Sequence, residues 1–279
     1  MFYVKKMSAE DFNFAVHLTD TKNWGLIEED FQFMTELEPE GCFVLLDDSE
    51  KIGIITSISY GRIGWFGNLI VEERHRRKGV ASQLVKQVIN YLTNKGTETV
   101  GLYSYIDAIP FYEKLGFRCD VNFTVLKGKA FKSKAEAEIK EATEEDLQKI
   151  VEYDYSCLNI SRKKLLEAIF RYSDNLCYLS IENGQMCGYI MVKVYSGLAE
   201  IGPLICNSGR SDVAINLIKS VFNKIEGYNV TLCLHKKESA IKNFLGKYGF
   251  SQSFDVARMF LKPTNIKDCI YIAESLERG

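Results

Sequence analysis

Five basic or potentially basic side chains stand together at residues 74–78 ("RHRRK"), immediately before Gly79. An apolar strand-like run, "NLIV", precedes the cluster, and a helix-like run, "VASQLVKQVINYL", follows it. The first turn of a helix has unpaired N–H groups and the positive end of the helix dipole. A glycine there lets an anion approach the backbone closely, because glycine has no Cβ. The pattern favours an anion site suited to a pyrophosphate, with small Ala81 and Ser82 keeping the first helical turn open.

Other interpretations of this stretch stay open on its own residues. The spacing is neither the GxxxxGK[ST] phosphate loop nor the GxGxxG dinucleotide turn, and a solvated turn that caps a helix would look similar. A nucleic-acid surface or a nuclear signal is disfavoured, because Glu72 and Glu73 adjoin the cluster and no aromatic residues interleave with it. The net charge of -2 and the pI near 6.0 also weigh against binding to nucleic acid or to an anionic membrane.

The elements that would position this site occur twice in the chain, at an offset near 135. Four short matches keep the same order, and each lies in a corresponding strand, turn or helix start. They are "SAEDF" at Ser8 with "TEEDL" at Thr143, "IG" at Gly53 with "CG" at Gly188, "GNLIV" at Gly67 with "GPLIC" at Gly202, and "FYEKLGF" at Phe111 with "FLGKYGF" at Phe244. We therefore predict two domains, 1–130 and 137–279, with the boundary in the polar, lysine-rich residues 127–138.

Each half alternates strand-like and helix-like runs, which predicts an α/β (α+β) fold with a mixed sheet flanked by helices. The long helix after the basic cluster has the clearest pattern. Its apolar residues follow i, i+3, i+4, i+7 spacing, and they are Ala81, Leu84, Val85, Val88, Ile89 and Leu92.

Two motifs in this order resemble the GCN5-related N-acetyltransferases (GNAT). "RRKGVA" fills that family's acetyl-CoA pyrophosphate loop, (Q/R)xxGx(G/A), with Arg76, Gly79 and Ala81. "AIPFYEKLGF" resembles the family's closing motif, a helix that ends in Tyr before "GF". Trp24, Pro39 and "GCFV" near the start, and Arg258 with Met259 near the end, resemble a tandem subfamily whose C-terminal domain is degenerate.

The resemblance implies two tandem GNAT-like domains, each with a mainly antiparallel twisted sheet, and acetyl-CoA as cosubstrate with no metal. Strand backbone groups would hold the pantetheine arm, and loop N–H groups would hold the pyrophosphate. The implied cofactor-binding residues are Leu69, Ile70, Val71, Arg76, Arg77, Lys78, Gly79, Val80, Ala81 and Ser82.

Tyr112 is the implied catalytic residue, a general acid for the departing thiolate, since a phenol with a pKa of about 10 suits that role. A helix tyrosine packed on the sheet is the alternative. The general base stays unassigned, because many relatives have a Glu on the strand before the loop and "GWFGNLIV" has no carboxylate. We expect Asn68, Glu72, Glu73 and His75 to be solvent-facing. Tyr105 stands near the family's usual Asn, which puts pantetheine hydrogen bonding in doubt.

The second half lacks the loop residues, so we predict that it binds no CoA. The positions of Arg76, Gly79 and Ala81 become Ser211, Ala214 and Asn216 at offset 135, and Tyr112 becomes Leu245 at offset 133. We expect His235 and Lys236, which follow a strand, to be ordinary surface residues.

The resulting hypothesis is an acyl-CoA N-acyltransferase that transfers the acetyl group of acetyl-CoA to a primary amine in a ternary complex. The acceptor would be a small-molecule or peptide amine, with no nucleic-acid or membrane partner, and the protein a monomer or homodimer. A non-catalytic CoA- or acyl-CoA-binding sensor or scaffold is the alternative. Eight scattered cysteines, without a CxxC pair or a signal-like start, predict reduced thiols and a cytoplasmic location.

Overall fold

The computed structural model describes residues 1–134 and 139–279. The first half contains six strands and four helices among the described residues. They are β1 (Phe2–Lys6), α1 (Phe12–Asp20), α2 (Glu28–Leu37), β2 (Phe43–Asp47), β3 (Glu50–Ser59), β4 (Ile63–Val71), α3 (Val80–Asn94), β5 (Thr99–Tyr105), α4 (Ile109–Lys114) and β6 (Arg118–Lys129). Short 3₁₀ turns at Ala9–Asp11, Glu73–His75 and Ile106–Ala108 connect some of them.

The second half repeats this order and adds one short strand at its end. Its described elements are β7 (Ile139–Glu141), α5 (Glu144–Leu158), α6 (Lys163–Arg171), β8 (Leu176–Glu182), β9 (Gln185–Tyr195), β10 (Leu198–Cys206), α7 (Ser211–Lys224), β11 (Asn229–His235), α8 (Ser239–Lys247), β12 (Ser251–Phe260) and β13 (Ile270–Ile272).

All thirteen described strands form one continuous sheet, in the order β1-β2-β3-β4-β5-β12-β6-β11-β13-β10-β9-β8-β7. The pairings are antiparallel except for β4 with β5 and β10 with β11. The predicted fold class, a mainly antiparallel mixed sheet flanked by helices in two tandem repeats, is confirmed.

The two halves exchange their last long strands, which the sequence did not predict. β12 of the second half lies between β5 and β6, pairing Val256 with Tyr105 on one side and with Phe123 on the other. β6 of the first half in turn pairs with β11. Met259 of β12 is fully buried in the core beneath α3, and burying one such side chain contributes about 1.5–3 kcal/mol.

The predicted division into 1–130 and 137–279 stays a prediction, and the sheet runs through both segments. Of residues 127–138, the first three belong to β6, and residues 135–138 lie outside the described part. The backbone of Ser133 forms two hydrogen bonds with the side-chain amide of Asn223 in α7. The Ser133 N–H donates to Asn223 Oδ1, and Asn223 Nδ2 donates to the Ser133 C=O.

The repeated helix starts and helix faces agree with the sequence patterns. Asp11 accepts from the Ser8 N–H at 2.9 Å, and Asp146 accepts from the Thr143 N–H at 3.0 Å, so both capping boxes form. On α3 the side chains of Leu84, Val85, Val88 and Leu92 are fully buried. These helices form where predicted because local caps and apolar spacing specify them.

A buried carboxylate on the α2 side joins the two halves. Glu38, only 1% exposed, forms ion pairs with Lys95, which follows α3, and with Lys164 of α6. It also accepts hydrogen bonds from the Tyr91 hydroxyl of α3 and from the Ser59 N–H. Burial alone would raise the pKa of Glu38, but these hydrogen bonds, led by Lys164, lower it to about 2. Glu38 is therefore ionised at neutral pH and links three helices.

The cysteines are free thiols, and seven of the eight are buried; Cys119 is exposed. None of the described helices is long and apolar enough to span a membrane.

Candidate functional site

The anion loop between β4 and α3 has the backbone conformation that the glycine predicts. Gly79 is left-handed, with φ of 79°, and α3 starts at the next residue, Val80. A Cβ built on Gly79 would meet no atom within 4 Å, so space adjoins the start of the helix. Arg77 is also left-handed, with φ of 63°. The Ser82 N–H donates to the Gly79 C=O at 3.1 Å, leaving the N–H groups before it to face an anion.

The basic side chains of the loop have different roles in the structure. Arg76 donates from Nε to the Val71 C=O at 2.9 Å and so braces the loop against β4. Arg74 pairs with Glu72 at 2.9 Å and with Glu50, which neutralises its charge. Arg77 and Lys78 are exposed beside Gly79. Their positive charge is therefore the part available to a bound anion.

Strands β4 and β5 diverge next to this loop. Their parallel pairing ends at Trp65 and Gly101, and from there β4 keeps β3 as its hydrogen-bonded neighbour. A bulge occurs at Asn68, which has φ of 51° and donates from Nδ2 to Thr56 Oγ1 at 3.2 Å. The divergence leaves the backbone of Leu69, Ile70 and Val71 unpaired on the β5 side, although the Val71 C=O already accepts from Arg76.

Tyr112 lies on α4, on the same face of the sheet as α3. Its ring packs against Phe66, Phe111 and Phe117, with centroid distances of 6.1, 4.9 and 6.1 Å. The side chain is buried, and burial raises the pKa of its hydroxyl well above the usual value. The phenol therefore stays protonated at neutral pH, as a general acid requires, while its aromatic packing also fits the structural alternative.

Three buried polar atoms near the divergence make no hydrogen bond within the described residues. They are Trp65 Nε1, Asn68 Oδ1 and the Tyr103 hydroxyl, and the Trp65 and Tyr103 rings lie 5.1 Å apart. Buried polar groups without partners are rare in proteins. Their concentration here fits a site where a ligand or water supplies the partner.

Several residues expected on the surface are buried instead. Asn68 and His75 are 8% and 6% exposed, with Asn68 held in the β4 bulge and His75 packed under the 3₁₀ turn beside Asp47 and Glu72. His235 is 8% exposed because its ring packs at a tilt against Phe123 of the exchanged strand β6, with 4.8 Å between the ring centroids. Burial and nearby Lys237 lower the pKa of His235 to about 4.

The other residues singled out in the sequence differ in exposure. Lys236 is exposed and pairs with Asp255 at 2.7 Å. Tyr105 is partly exposed at the end of β5, and its ring packs at a tilt against that of Phe254. Glu73 is exposed, whereas Glu72 is partly buried. In the described ranges, no group of three or more His, Cys, Asp or Glu side chains is arranged to hold a metal.

The corresponding divergence in the second half is filled by the chain itself. β10 pairs with β11 as far as Ile201 and Leu232, and β13 then inserts between them, pairing with Leu204 of β10 and Leu234 of β11 through Ile272. In the first half, the described strands include no counterpart of β13 between β4 and β5. Among the described strands, the first-half pair alone therefore keeps a gap that no strand fills, beside the glycine turn that precedes α3.

Residues 273–279, which we term the closing segment, follow β13. They extend from the β10–β11 gap that β13 fills to the β4–β5 gap of the first half. A Cβ on Gly202 would overlap the Ala273 C=O, and a Cβ on Gly67 would lie 2.5 Å from Glu277 Cα. These two glycines correspond in the repeat. No sequence pattern pointed to the closing segment, because the contact joins residues about 210 positions apart.

Comparisons with known proteins agree with this architecture. Residues 9–117 match the Acetyltransferase (GNAT) family, and residues 150–271 match the Acetyltransferase (GNAT) domain. N-alpha-acetyltransferase 30 of Schizosaccharomyces pombe is 27% identical over 95 residues, which are 31% of this chain and 63% of that protein. The match thus spans less than two thirds of this curated relative.

Two solved structures share the fold over nearly the full length. A Pyrococcus horikoshii protein described as a candidate acetyltransferase has a TM-score of 0.81 at 19% identity, covering 100% of this chain and 96% of the other. A tandem GNAT protein from the clavulanic acid biosynthesis pathway has a TM-score of 0.65 at 12% identity, covering 95% and 100%. Both halves match GNAT family models in sequence, and the two repeats share the fold of these solved structures. The chain therefore belongs to the GNAT acetyltransferase family as a tandem-domain member.

Proposed function

We propose that the chain is an N-acetyltransferase that transfers the acetyl group of acetyl-CoA to a primary amine, within a ternary complex, at the first-half site. The observation that carries the proposal is the open β4–β5 gap beside the Gly79 helix start. The same gap in the second half is closed by β13 and adjoins no such loop. The second half would then bind no CoA and would support the acceptor side.

In the proposed complex, residues of β4 would contact the pantetheine arm of acetyl-CoA, and residues at the start of α3 would contact its pyrophosphate. The N–H groups around Gly79 and Val80, with Arg77, Lys78, Ala81 and Ser82, would hold the pyrophosphate. Leu69, Ile70 and Val71 would face the pantetheine arm, and Arg76 would brace the loop through Val71 rather than contact phosphate. Acetyl-CoA supplies the activated acyl group when bound.

Tyr112 would donate its proton to the departing thiolate sulfur. The amine nitrogen forms the new bond to the acyl carbon while the carbon–sulfur bond breaks, and the amine loses a proton. Since a free amine with a pKa near 10 is mostly protonated at neutral pH, the reaction also needs a base. The acceptor's class is a small-molecule or peptide amine, and the partial match to N-alpha-acetyltransferase 30 motivates including peptide α-amines.

Acetyl transfer is tested with purified protein, acetyl-CoA and four amines: a peptide with a free N-terminus, Nα-blocked lysine, spermidine and glucosamine. We expect at least one of these amines to be acetylated. Mass spectrometry of the product is the suitable readout, because the exposed Cys119 would itself react with the thiol reagents of a thiol-release assay. Acetyl-CoA binding without turnover on any amine would instead favour a CoA-binding sensor or scaffold. We expect a cytoplasmic location on the cysteine composition alone.

A further inference from the structure

The proposed acetyl transfer needs a proton acceptor for the amine, and β4 does not supply one. Residues 63–71 ("IGWFGNLIV") contain no carboxylate. Glu72, the next residue, pairs with Arg74 at 2.9 Å, and Glu73 points to solvent. A carboxylate from elsewhere in the chain must therefore reach the gap if one is used.

Glu277 of the closing segment lies directly against β4 at the gap. Its Cα and Cβ would stand 2.5 and 3.0 Å from a Cβ at Gly67, two residues past the last β4–β5 pair and beside the Asn68 bulge. Any larger residue at position 67 would collide with Glu277. Gly67 faces the side of the sheet opposite to Phe66, and Phe66 packs with Tyr112. Glu277 and Tyr112 therefore approach the gap from opposite faces.

Both halves of the molecule hold the closing segment in place. Tyr60 of the first half donates to the Arg278 C=O at 2.7 Å, and the Arg278 guanidinium lies over the Phe33 ring at 5.3 Å. Arg162 of the second half donates to the Gly279 C=O at 3.1 Å. Arg278 also donates to Glu274 at 3.0 Å. The neighbours of Glu277 in the chain are thus fixed, so the backbone that carries its side chain is held against β4.

The pKa of the Glu277 carboxyl is raised above its ordinary value, and the main cause is burial. Among nearby charges, Glu200 raises this pKa further, while Arg278 and Lys193 lower it. The Lys193 ammonium lies 2.7 Å from Glu200 and 2.8 Å from Glu274, so two carboxylates share its charge.

Two further titratable side chains lie near Glu277, namely Tyr105 of β5 and Cys233 of β11. Burial raises the pKa of both, so both are neutral at pH 7. The Glu277 side chain itself is only partly buried, so it borders space that solvent can enter.

We propose that Glu277 is the general base of the first-half site, an inference that rests on the proposed acetyl transfer. Glu277 accepts the proton from the amine nitrogen, directly or through one water, as the nitrogen bonds to the acyl carbon. The carbon–sulfur bond breaks, and the sulfur takes the proton of Tyr112. A catalytic group from the end of the second half would then complete a site built by the first half.

The proposal is tested by single-turnover rates of Glu277→Gln at saturating acetyl-CoA and amine, using the amine that the wild-type chain acetylates. At pH 7 we expect a loss of about 10²-fold or more, with acetyl-CoA affinity unchanged by calorimetry. The rate of the variant should rise about tenfold per pH unit towards the pKa of the amine, because only amine that is already neutral reacts. The wild-type rate should level off at lower pH.

Glu277→Asp keeps a carboxylate, so its rate should lie between those of Glu277→Gln and the wild type. If Glu277 acted through packing alone, the carboxylate of Glu277→Asp would give no advantage in rate over Glu277→Gln. Glu73→Gln is the matched control and should leave the rate unchanged. If Glu277→Gln fails to fold, Glu277→Asp is compared with the wild type at lowered pH. Equal rates and equal pH profiles in the two proteins would then count against Glu277 as the general base. Wild-type turnover with a fully active Glu277→Gln would overturn the role of Glu277 alone. An absence of wild-type turnover on every amine would overturn the proposed function as well.

Discussion

At the scale of single residues, two buried groups have pKa values that are shifted in opposite directions, Tyr112 at the candidate site and Glu38 between the helices. The buried Tyr112 hydroxyl has a raised pKa and remains a proton donor at neutral pH. Buried Glu38 has a pKa of about 2, because burial, which would raise it, is outweighed by Lys164 and Lys95. The same low-polarity surroundings therefore give an acid in one place and a permanent anion in another, according to the partners present.

Tyr112→Phe should lower kcat by about 10²-fold or more and leave acetyl-CoA affinity unchanged, because it removes only the proton donor. Phenylalanine keeps the ring contacts with Phe66 and Phe117, so the melting temperature should stay close to that of the wild type. Steady-state kinetics with calorimetric binding measures both. Tyr248→Phe, in the second half, is the control and should leave kcat unchanged; an equal kcat in Tyr112→Phe would remove Tyr112 from the mechanism.

At the scale of elements, the sequence specifies the glycine turn and helix α3 but not the β4 bulge beside them. Gly79 provides the left-handed turn, the apolar face of α3 seats the helix on the sheet, and the bulge at Asn68 turns β4 away from β5. In the proposed site, acetyl-CoA binding would depend on backbone N–H groups more than on basic side chains, since Arg74 and Arg76 have partners within the protein.

Gly79→Ala should weaken acetyl-CoA binding about tenfold or more, because the added Cβ narrows the approach to the helix N–H groups. It should also cost about 1–2 kcal/mol of stability, since alanine is strained at a φ of 79°. Gly96→Ala, at the other end of α3 with φ of 87° and open space, carries the same strain. Calorimetry should show lowered affinity in Gly79→Ala only; a matched loss in Gly96→Ala would assign the effect to strain.

At the scale of the whole molecule, the two repeats are joined by an exchanged strand, by a shared ion-pair cluster at Glu38 and by the closing segment. β12 supplies Ala257 and Met259 to the core of the first half. The C-terminal half thereby contributes to the first-half site even though its own gap is filled by β13.

Separate fragments 1–130 and 137–279 should not fold independently, because β5 and β6 would lose the strand between them. Each fragment expressed alone should aggregate or lack a cooperative thermal transition. Co-expressed fragments should recover a single complex by size-exclusion chromatography. A fragment 1–130 that unfolds cooperatively alone would contradict this dependence.

Glu38→Gln should lower the free energy of unfolding by about 1–3 kcal/mol at pH 7, since Lys95, Lys164 and Tyr91 lose the buried carboxylate that they contact. The pKa of Glu38 is lowered in the fold, so its contribution is complete above about pH 4.5 and is lost as the pH falls through about 2. The difference between variant and wild type, measured by denaturant unfolding, should shrink over that range. Exposed Glu40→Gln is the control, and a difference independent of pH would contradict the ion-pair explanation.

The features that the sequence predicted correctly are those that neighbouring residues decide. The capping boxes at Ser8 and Thr143, the apolar face of α3 and the turn at Gly79 all depend on contacts within one or two helical turns. The roles of Tyr112 and the cofactor-binding residues stay predictions that this geometry supports.

The features that the sequence missed depend on pairing between distant strands. β6 and β12 each follow a helix and a "GF" pair, so either could lie beside β5, and their local patterns do not decide between them. The burial of His235 follows from that exchange, because Phe123, against which its ring packs, belongs to β6. The closing segment has no apolar period, and tertiary contacts alone determine where Glu277 lies.

The exchange of β6 and β12 has a consequence for synthesis on the ribosome. β5 emerges well before β12, and about 145 residues of translation separate the end of one strand from the start of the other. During that interval the edge of β5 is an unpaired template for other nascent chains. We expect the yield of folded protein to depend on elongation speed and on chaperones that shield this edge until residue 260 leaves the exit tunnel.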